Sequence, residues 1–291
     1  MTTLLPILII AALATLLAAA AIGIGAALVV IARRAPATEP MITATGDDGS
    51  ISAAARITLA ALAAATVMLA ASLVLRAIVA GHAPWSNLHE FSLAFATGLL
   101  VAYLLLARTY PIGGLAPLVA LLAAGLIGFA LGLDDRVDPL VPALQQPLLL
   151  TIHVGAAAAA YAVAGVAFLA AAAEIAQRWA GGRMAALPDA TTLRVVGHRA
   201  VLVAFPILTV AIALGSVWAN LAWRSYWSND PKELAAAATW LVFGAYLHVA
   251  GRRDRWESLA PWLIVVGFVG VLFTYIGAGL FIVGEHSYGA P

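Results

Sequence analysis

Long apolar runs alternate with short polar segments along this chain, and most runs are long enough to cross a membrane. A membrane-spanning helix needs about 20 mainly apolar residues, because the hydrocarbon core offers an open backbone no hydrogen-bond partner. Runs near that length predict eight spanning helices, at 4–32, 57–80, 91–107, 114–133, 148–176, 200–217, 234–251 and 259–283. The pattern therefore predicts an all-α integral membrane protein with about eight transmembrane helices.

Positive charge is distributed unevenly between the two sets of connections. Of the 15 lysine and arginine residues, all but Arg76, Arg136, Arg224 and Lys232 lie after the first, third, fifth or seventh run. Arginine and lysine are enriched on the cytoplasmic side of membrane proteins. We therefore expect both termini to lie outside the cytoplasm. No basic segment precedes the first run, so we expect a retained span rather than a cleaved signal peptide.

The chain divides by composition into two parts. Residues 1–56 are predicted to form an N-terminal transmembrane helix and a cytoplasmic linker, which is polar and rich in turn residues at 35–50. Residues 57–291 hold the remaining runs and form the main transmembrane domain. Its outward connections collect histidine, proline and aromatic residues, so we expect function on that face.

Composition excludes several classes of protein. Apolar residues make up 64% of the chain, charged residues 10%, and the mean hydropathy is +1.01, which exclude a soluble globular protein and a disordered one. A net charge of +1 gives no indication of a nucleic-acid partner. The chain has no cysteine, which excludes disulfides, iron–sulfur clusters and thiolate zinc sites. Histidine is therefore the expected ligand for any metal.

The six histidines differ in their predicted depth. His153 falls at the outer end of the fifth run and His286 just beyond the outer end of the eighth, so two imidazoles lie at one depth, as the two axial sites of haem iron require. His248 falls deep within the seventh run, where an ionisable residue is costly and is a functional candidate. For the others we expect loop packing or interfacial roles: His82, His89 and His198.

A tryptophan-rich segment, WANLAWRSYWSNDPKE at 218–233, separates the sixth and seventh runs. An interfacial aromatic belt is one interpretation. The alternative is a platform for a large flat ligand with acidic substituents, because polar and charged side chains interleave with the rings. The candidate residues of that platform are Trp218, Trp223, Arg224, Trp227, Asp230 and Lys232.

These motifs resemble the CcsA (ResC) type of protein from System II cytochrome c biogenesis, with its tryptophan-rich WWD motif. The segment 218–233 resembles that motif, and GHAPWSNLHE at 81–90 is similar to the family's glycine-histidine segment. PALQQPLLLTIHV at 142–154, TWLVFGAYLHVAGR at 239–252 and TYIGAGLFIVGEHSY at 274–288 resemble the stretches around its three haem-ligating histidines. The resemblance covers most of residues 81–288.

The resemblance implies a multi-spanning protein of the bacterial cytoplasmic membrane that acts with a CcsB (ResB) subunit. Together they move haem b to the outer face and attach it to the CxxCH motif of an apocytochrome c, as a cytochrome c synthase. It implies that His153 and His286 hold external haem against Trp218, Trp223, Trp227 and Asp230. It also implies that His248 ligates haem in the membrane with a histidine of the CcsB side. Our own addition is that Arg224 or Lys232 meets a haem propionate; no residue is assigned a catalytic role.

Four positions depart from the family pattern: Arg224 replaces glycine, Asn229 tryptophan, Leu234 threonine and Gly279 asparagine. They leave open a HemX-like or System I-type haem-binding membrane protein. From other classes, a transporter with proton-relay histidines, a bis-histidine electron-transfer cytochrome and a purely structural membrane subunit remain alternatives.

Overall fold

The computed structural model describes residues 4–33, 48–136, 147–252 and 258–278, together with Ile282 and Gly284. Across these residues the regular secondary structure is helical, with no strand. Their α-helices are α1 (Leu4–Arg33), α2 (Asp48–Ala80), α3 (Leu88–Ala107), α4 (Ala116–Leu131), α5 (Pro147–Trp179), α6 (Ala190–Trp223), α7 (Pro231–Val249) and α8 (Ala260–Leu272). A 3₁₀ turn at Gly113–Leu115 precedes α4, and a π-helical turn at Phe273–Gly277 continues α8.

Seven helical stretches in the described part of the chain are long and apolar enough to cross a membrane: Leu4–Ala32, Ala53–Ala80, Leu88–Ala107, Gly113–Leu131, Leu148–Trp179, Ala190–Trp223 and Ala260–Gly277. The all-helical prediction is confirmed, and these helices are those of an integral membrane protein. α7 does not belong to this set, because Lys232, Glu233 and His248 dilute the apolar content of its 19 residues. The apolar runs had predicted eight spans.

Two helices begin well before the apolar runs that predicted them. α2 begins at Asp48 and α6 at Ala190, where the runs begin at 57 and 200. An apolar run marks the stretch suited to lipid, whereas a helix continues into polar residues until its end is capped. The linker predicted at 35–50 lies outside the described residues except for its last three, which belong to α2. A division at residue 56 falls inside α2, and the two-part organisation stays a prediction.

An aromatic cluster joins α3, α4 and the π-helical turn. Tyr275 of that turn packs against Phe91, Phe95 and Phe129, with ring centroids 5.4, 5.7 and 6.0 Å away. Its hydroxyl is hydrogen-bonded to Ser92 Oγ of α3. These contacts fix the end of the last helix against the first turns of α3.

Contacts between helix termini define two ends of the bundle. At one, the tryptophan end, the end of α2 meets the start of α3, the start of α5 meets the end of α6, and Gly284 lies against the start of α7. At the other, the arginine end, the end of α5 meets the start of α6, and α6 meets the end of α7. Which end faces the cytoplasm stays a prediction from the charge distribution.

Candidate functional site

His153 of α5 lies along a face of α6 that receives its ring. Ala211, Gly215 and Trp218 are spaced by four and three residues, so they share that face. His153 Nδ1 is 2.8 Å from the Ala211 carbonyl oxygen. Because a carbonyl only accepts, Nδ1 carries the proton and donates. Nε2 therefore holds the ring's lone pair, which is the arrangement of most metal-ligating histidines.

Gly215 makes this close approach possible, although nothing in the sequence singles this glycine out. A Cβ atom at this position would lie 2.7 Å from His153 Cε1 and 3.2 Å from Nδ1, closer than side chains pack. Any larger residue would push the imidazole off the face of α6. A single glycine in an apolar helix indicates only close packing, so its role becomes visible only in the structure.

Trp218 and Trp223 belong to the last turns of α6, where the sequence predicted an external segment between helices. Neither glycine nor proline interrupts the chain between them, so the helix continues to Trp223. The Trp218 ring lies nearly parallel to that of His153, with centroids 6.3 Å apart and an angle of 9°. Trp223 meets Trp218 edge to face at 4.8 Å. Since Trp218 is only 2% exposed, it supports His153 rather than offering an open face.

Arg224 and Asn229 both adopt left-handed backbone conformations, with φ of 62° and 60°. Arg224 ends α6, and its N–H donates to the Asn220 carbonyl oxygen at 3.0 Å. Asparagine tolerates this conformation, whereas for other side chains it costs about 1–2 kcal/mol and glycine is preferred. The geometry explains the glycine of the family pattern at position 224. The arginine there is strained and exposed, and it makes no ion pair within the described residues.

Trp227 lies in the short connection between α6 and α7. Its side chain is 41% exposed, and its Nε1 donates to Asn229 Oδ1 at 2.9 Å. The Ser216 hydroxyl on α6 donates to the Tyr226 carbonyl oxygen at 2.8 Å, which holds the connection against the helix. Trp227 therefore presents a fixed, open aromatic face.

Asp230 and Glu233 cap the start of α7. The Asp230 carboxylate accepts the Lys232 N–H at 2.8 Å, while Glu233 Oε2 accepts the N–H groups of Asp230 at 3.2 Å and Ser228 at 2.8 Å. This reciprocal arrangement is a capping box. Asp230 is 4% exposed, so it stabilises the helix start and shapes the loop.

The last part of the chain reaches this same helix start. A Cβ atom on Gly284 would overlap Asp230 Oδ2 and lie 2.8 Å from Pro231 Cδ. His286 follows two residues later and lies outside the described residues. Its predicted pairing with His153 stays a prediction.

His248 is the penultimate residue of α7, about 25 Å along the helix from Pro231. The sequence placed it deep in a span; the structure places it in the last turn, exposed, at the arginine end. Arg252 Nη2 lies 3.2 Å from His248 Nε2. Since arginine only donates, Nε2 accepts this hydrogen bond. His153 and His248 therefore lie at opposite ends of the bundle.

The segment 81–90 contributes more to the site than the sequence indicated. His89, expected in a loop, is 3% exposed on α3, and its Nδ1 is 2.9 Å from the Ala130 carbonyl oxygen. His82 Nε2, Trp85 Nε1 and His89 Nε2 are buried and have no hydrogen-bond partner within the part of the chain the structure describes. The Trp85 ring lies 3.7 Å from where a Cβ of Gly155 would stand, two residues from His153. Trp85 therefore packs against α5 near His153, but on another face of that helix, because residues two apart do not point to the same side.

The remaining histidine, His198 of α6, is half-buried at the arginine end, where its Nδ1 lies 3.2 Å from the Tyr246 hydroxyl. Within the described ranges, no three histidine, aspartate or glutamate side chains are grouped to hold a bare metal ion.

Known proteins resemble this chain in sequence. The sequence profile of the Cytochrome C assembly protein family matches residues 85–286. "Cytochrome c biogenesis protein CcsA" of Synechococcus sp. (strain CC9902) is 36% identical over 260 residues, covering 78% of this chain and 85% of that protein. The protein of the same name from Chlamydomonas reinhardtii is 36% identical over 224 residues, covering 72% of this chain and 62% of that protein.

A solved structure, "Cytochrome c Heme Lyase CcmF", has a similar fold. It superposes with a TM-score of 0.63 at 21% sequence identity, covering 92% of this chain. This chain spans 46% of that protein's length.

Proposed function

The chain belongs to the cytochrome c assembly protein family and is of the CcsA type, and we propose that it presents haem to apocytochrome c. Its role in cytochrome c biogenesis follows from the family. The finer proposal is that the tryptophan end binds haem b at the outer face of the bacterial cytoplasmic membrane. The chain then acts with a CcsB-like subunit, as in System II, on the CxxCH motif of the apocytochrome.

The observation that carries this proposal is the tautomer and the orientation of the His153 imidazole. Its Nδ1–H is held by the Ala211 carbonyl oxygen, and Gly215 makes room for the ring, so the Nε2 lone pair is fixed in direction. A hydrogen bond from Nδ1 to a backbone carbonyl fixes the tautomer and raises the basicity of a ligating imidazole. His89 makes a similar hydrogen bond from Nδ1 to the Ala130 carbonyl oxygen, so it is the stacked Trp218 ring and the room left by Gly215 that distinguish His153.

The surrounding residues suit a flat ligand with acidic substituents. Trp227 offers an exposed ring, Trp223 packs against the Trp218 ring that stacks on His153, and Trp85 packs against α5 at Gly155. Arg224 and Lys232 are the cations of this region, and either suits a haem propionate. His286 is the proposed second axial ligand, because Gly284 already lies against the start of α7.

In this proposal the reactive groups are the haem vinyls. Each cysteine S–H adds across a vinyl C=C bond, so there is no leaving group and no net oxidation. The chain supplies position and an aromatic surround. We assign no nucleophile and no acid–base residue, because Asp230 and Glu233 are committed to capping α7.

His248 is proposed as a ligand for haem within the membrane, paired with a histidine of the CcsB-like subunit. Its Nε2 currently accepts a hydrogen bond from Arg252, so iron binding at that nitrogen requires Arg252 to move away. The released guanidinium is then a candidate partner for a propionate. Haem taken up there would pass along the bundle to His153.

The test is the reduced-minus-oxidised absorption spectrum of the protein purified with a CcsB-like subunit. We expect a low-spin bis-histidine spectrum in the wild type, and loss of most of the external signal in His153→Ala. Added imidazole should restore that signal, since it replaces the missing ligand. His198→Ala, at the arginine end, is the matched control and should keep the wild-type spectrum.

Gly215→Ala tests the positioning argument separately. The added methyl group displaces the imidazole, so the external haem should become weakly bound or high-spin, and imidazole should restore it only in part. Unchanged spectra in both His153→Ala and Gly215→Ala would refute a haem site at the tryptophan end. Attachment to a co-expressed CxxCH acceptor then separates a synthase from a haem carrier.

A further inference from the structure

The side chains of Arg76 and Glu90 form the most deeply buried ion pair among the described residues. Arg76 lies one turn before the end of α2 and Glu90 in the first turn of α3, and the two side chains are 6% and 0% exposed. Removing two charges from water is costly, and a well-packed apolar pair of similar size often stabilises a fold as much. The pair therefore calls for an explanation beyond stability.

Hydrogen bonds from this ion pair reach two connections at the tryptophan end. Arg76 Nη2 donates to the Asp135 carbonyl oxygen at 2.6 Å and lies 3.3 Å from that of Arg136, in the connection after α4. Glu90 Oε2 accepts the Ser86 N–H at 2.7 Å and the Ser86 hydroxyl at 2.8 Å, in the connection before α3. The pair therefore joins these two connections to each other.

Trp85, in the connection before α3, supports α5 where α3 no longer reaches. Deeper in the bundle the two helices touch, because a Cβ atom on Gly98 of α3 would lie 2.9 Å from the Ala162 Cβ atom of α5. Closer to the start of α5 this contact ends, because α3 begins three residues after Trp85. There the Trp85 ring takes its place, 3.7 Å from where a Cβ atom of Gly155 would stand.

Gly155 and His153 lie on nearly opposite sides of α5, because two residues turn an α-helix by about 200°. On the His153 side, α5 meets α6 through the Ala211 carbonyl oxygen and Gly215. On the other side it meets Trp85. The first turns of α5 are thus held between α6 and Trp85. A shift of these turns toward Trp85 would lengthen the 2.8 Å hydrogen bond from His153 Nδ1 and free the imidazole to turn.

We propose that Arg76 and Glu90 are positioning residues for His153. They hold Trp85 and the connection after α4 in place, so that α5 stays against α6 and the Nε2 lone pair of His153 keeps its direction. The inference rests on the proposed function for the ligand that this lone pair meets, which is haem. Arg76 and Glu90 act through other residues and do not touch haem, because both side chains are buried within the chain.

Arginine suits this role because its guanidinium group donates hydrogen bonds from several nitrogens in one rigid plane. Arg76 uses Nε for Glu90 and Nη2 for the Asp135 carbonyl oxygen. Lysine has a single nitrogen in place of these two donor atoms. Arg76→Lys therefore keeps the charge but weakens the link between the two connections.

A double variant, Arg76→Met with Glu90→Met, separates positioning from stability. It removes both charges together, so neither is left buried without its partner, and apolar replacements of this kind usually preserve the fold. The matched control is Glu174→Met with Arg178→Met, an ion pair at the arginine end with 2.6 Å between Arg178 Nη2 and Glu174 Oε1. Each protein is purified with a CcsB-like subunit that lacks cysteine.

Pulsed electron paramagnetic resonance of two spin labels reports the position of α5 without any haem. One label replaces Asp134, in the connection that Arg76 holds, and the other replaces Leu148, near the start of α5; their side chains are 56% and 73% exposed. Because this chain has no cysteine of its own, introduced cysteines take the labels selectively. In the double variant the distribution of label distances should become about twofold broader, because a segment with fewer fixed contacts opens more often. In the control it should stay as in the wild type.

The reduced-minus-oxidised haem spectrum of the same variants, without labels, is the second readout. The double variant should lose most of its low-spin external signal, and added imidazole should restore it, because His153 is still present but displaced. Arg76→Lys should lose less of the signal than the double variant. Trp85→Ala, which removes the support of α5 and leaves the ion pair intact, should act in the same direction. The control should keep the wild-type spectrum.

The two readouts together keep this inference apart from the proposed function. If the wild type binds haem and either readout is unchanged in the double variant, the positioning role is refuted and the proposed function stands. An equal loss of signal in the control would also overturn the inference, because any buried ion pair would then have the same effect. Broader label distances in the double variant, from a protein whose wild type binds no haem, would support the positioning of α5 and contradict the proposed function.

Discussion

Gln177 at the arginine end and His89 at the tryptophan end are both buried polar residues, and they differ in what surrounds them. Gln177 Nε2 lies within 3.2 Å of the carbonyl oxygens of Met184, Leu187 and Pro188, and its Oε1 accepts the Met184 N–H. His89 uses Nδ1 on the Ala130 carbonyl oxygen, while its Nε2 has no partner among the described residues.

The same contrast extends to the residues around each of them. At the arginine end, Glu174 accepts from Arg178 at 2.6 Å and from Arg194 at 3.2 Å, which joins α5 to α6. At the tryptophan end, Trp85 Nε1 and His82 Nε2 lack partners in the described chain, and Arg224 is strained. Buried polar groups in proteins are nearly always paired, so unpaired ones need an explanation. The polar groups of the arginine end find their partners within the chain. Those of the tryptophan end include unpaired nitrogens, which are suited to a bound ligand.

One buried polar pair at the tryptophan end has all its partners within the chain, as the polar groups at the arginine end do. The Arg76 and Glu90 side chains are 6% and 0% exposed, and Arg76 Nε donates to Glu90 Oε1 at 2.5 Å. Arg76 Nη2 also donates to the Asp135 carbonyl oxygen, and Glu90 Oε2 accepts from Ser86. This network fixes the segment that carries His82, Trp85 and His89, so its open nitrogens lie in a rigid frame.

Among the changes that test this contrast between the two ends, we expect Glu174→Ala to alter the free energy of unfolding most. The two guanidinium groups lose the carboxylate they share, and α5 loses its polar link to α6 at the arginine end. Because both arginines are partly exposed, we expect a loss of about 2 kcal/mol in the free energy of unfolding rather than the full cost of a buried pair. Unfolding by a denaturing detergent measures it, with Glu174→Gln as the control that keeps the shape. The folded fraction should retain the wild-type haem spectrum; a lost spectrum at unchanged stability would break the comparison.

The helices of both ends could be predicted from the apolar runs, because lipid requires long apolar segments. The run from 234 to 251 predicted α7 as a helix, but α7 does not qualify as a membrane span, because it starts at Pro231 and includes Lys232 and Glu233. The tryptophan segment shows a second limit. Its mixture of charged and aromatic residues is typical of a loop, yet the segment itself holds no glycine or proline before Arg224, so Trp218 and Trp223 are helical.

The candidate site could be predicted only in part, for a related reason. His153 was identified because it stands where an apolar run begins, which is a local property. The features that set its chemistry are the Ala211 carbonyl oxygen and the hydrogen at Gly215, and both lie about 60 residues away along the chain. The contact of Trp85 with α5 at Gly155 likewise joins residues far apart along the chain. Contacts across such separations have no periodic signature in a single sequence.

A smaller effect, of opposite sign, is expected from Arg224→Gly. Glycine adopts φ of 62° without penalty, so the free energy of unfolding should rise by about 1 kcal/mol. The same change removes a cation proposed to meet a propionate, so haem should be held less tightly. Thermal unfolding and haem titration on one sample measure both. A gain in stability together with weaker haem binding would support the view that the tryptophan end is less stable because it is shaped for its ligand. A loss of stability would show that the backbone at Arg224 is not strained.

The smallest effect concerns a helix cap at the arginine end. The Thr192 hydroxyl donates to Asp189 Oδ2 at 2.6 Å, and the N–H groups of Thr192 and Thr191 donate to Oδ1. These hydrogen bonds hold the pKa of Asp189 below its ordinary value of 3.8. Because the pKa is lower in the folded state, the unfolded chain takes up the proton first as pH falls. The stability that the charge contributes is therefore complete above the ordinary pKa and is lost as pH falls through the folded one.

Asp189→Asn isolates the stability contributed by the charge, because asparagine caps a helix as well as aspartate does and does not titrate. Wild type should be the more stable of the two at pH 6, with a constant difference down to about pH 5. The difference should then shrink as pH falls below about 4, and unfolding curves of both proteins across this range measure it. A difference that grew on acidification would mean that the carboxylate is strained in the fold. The arginine end would then resemble the tryptophan end, because it too would hold a polar group in an unfavourable position. The contrast between the two ends would fail at Asp189, the N-cap of α6.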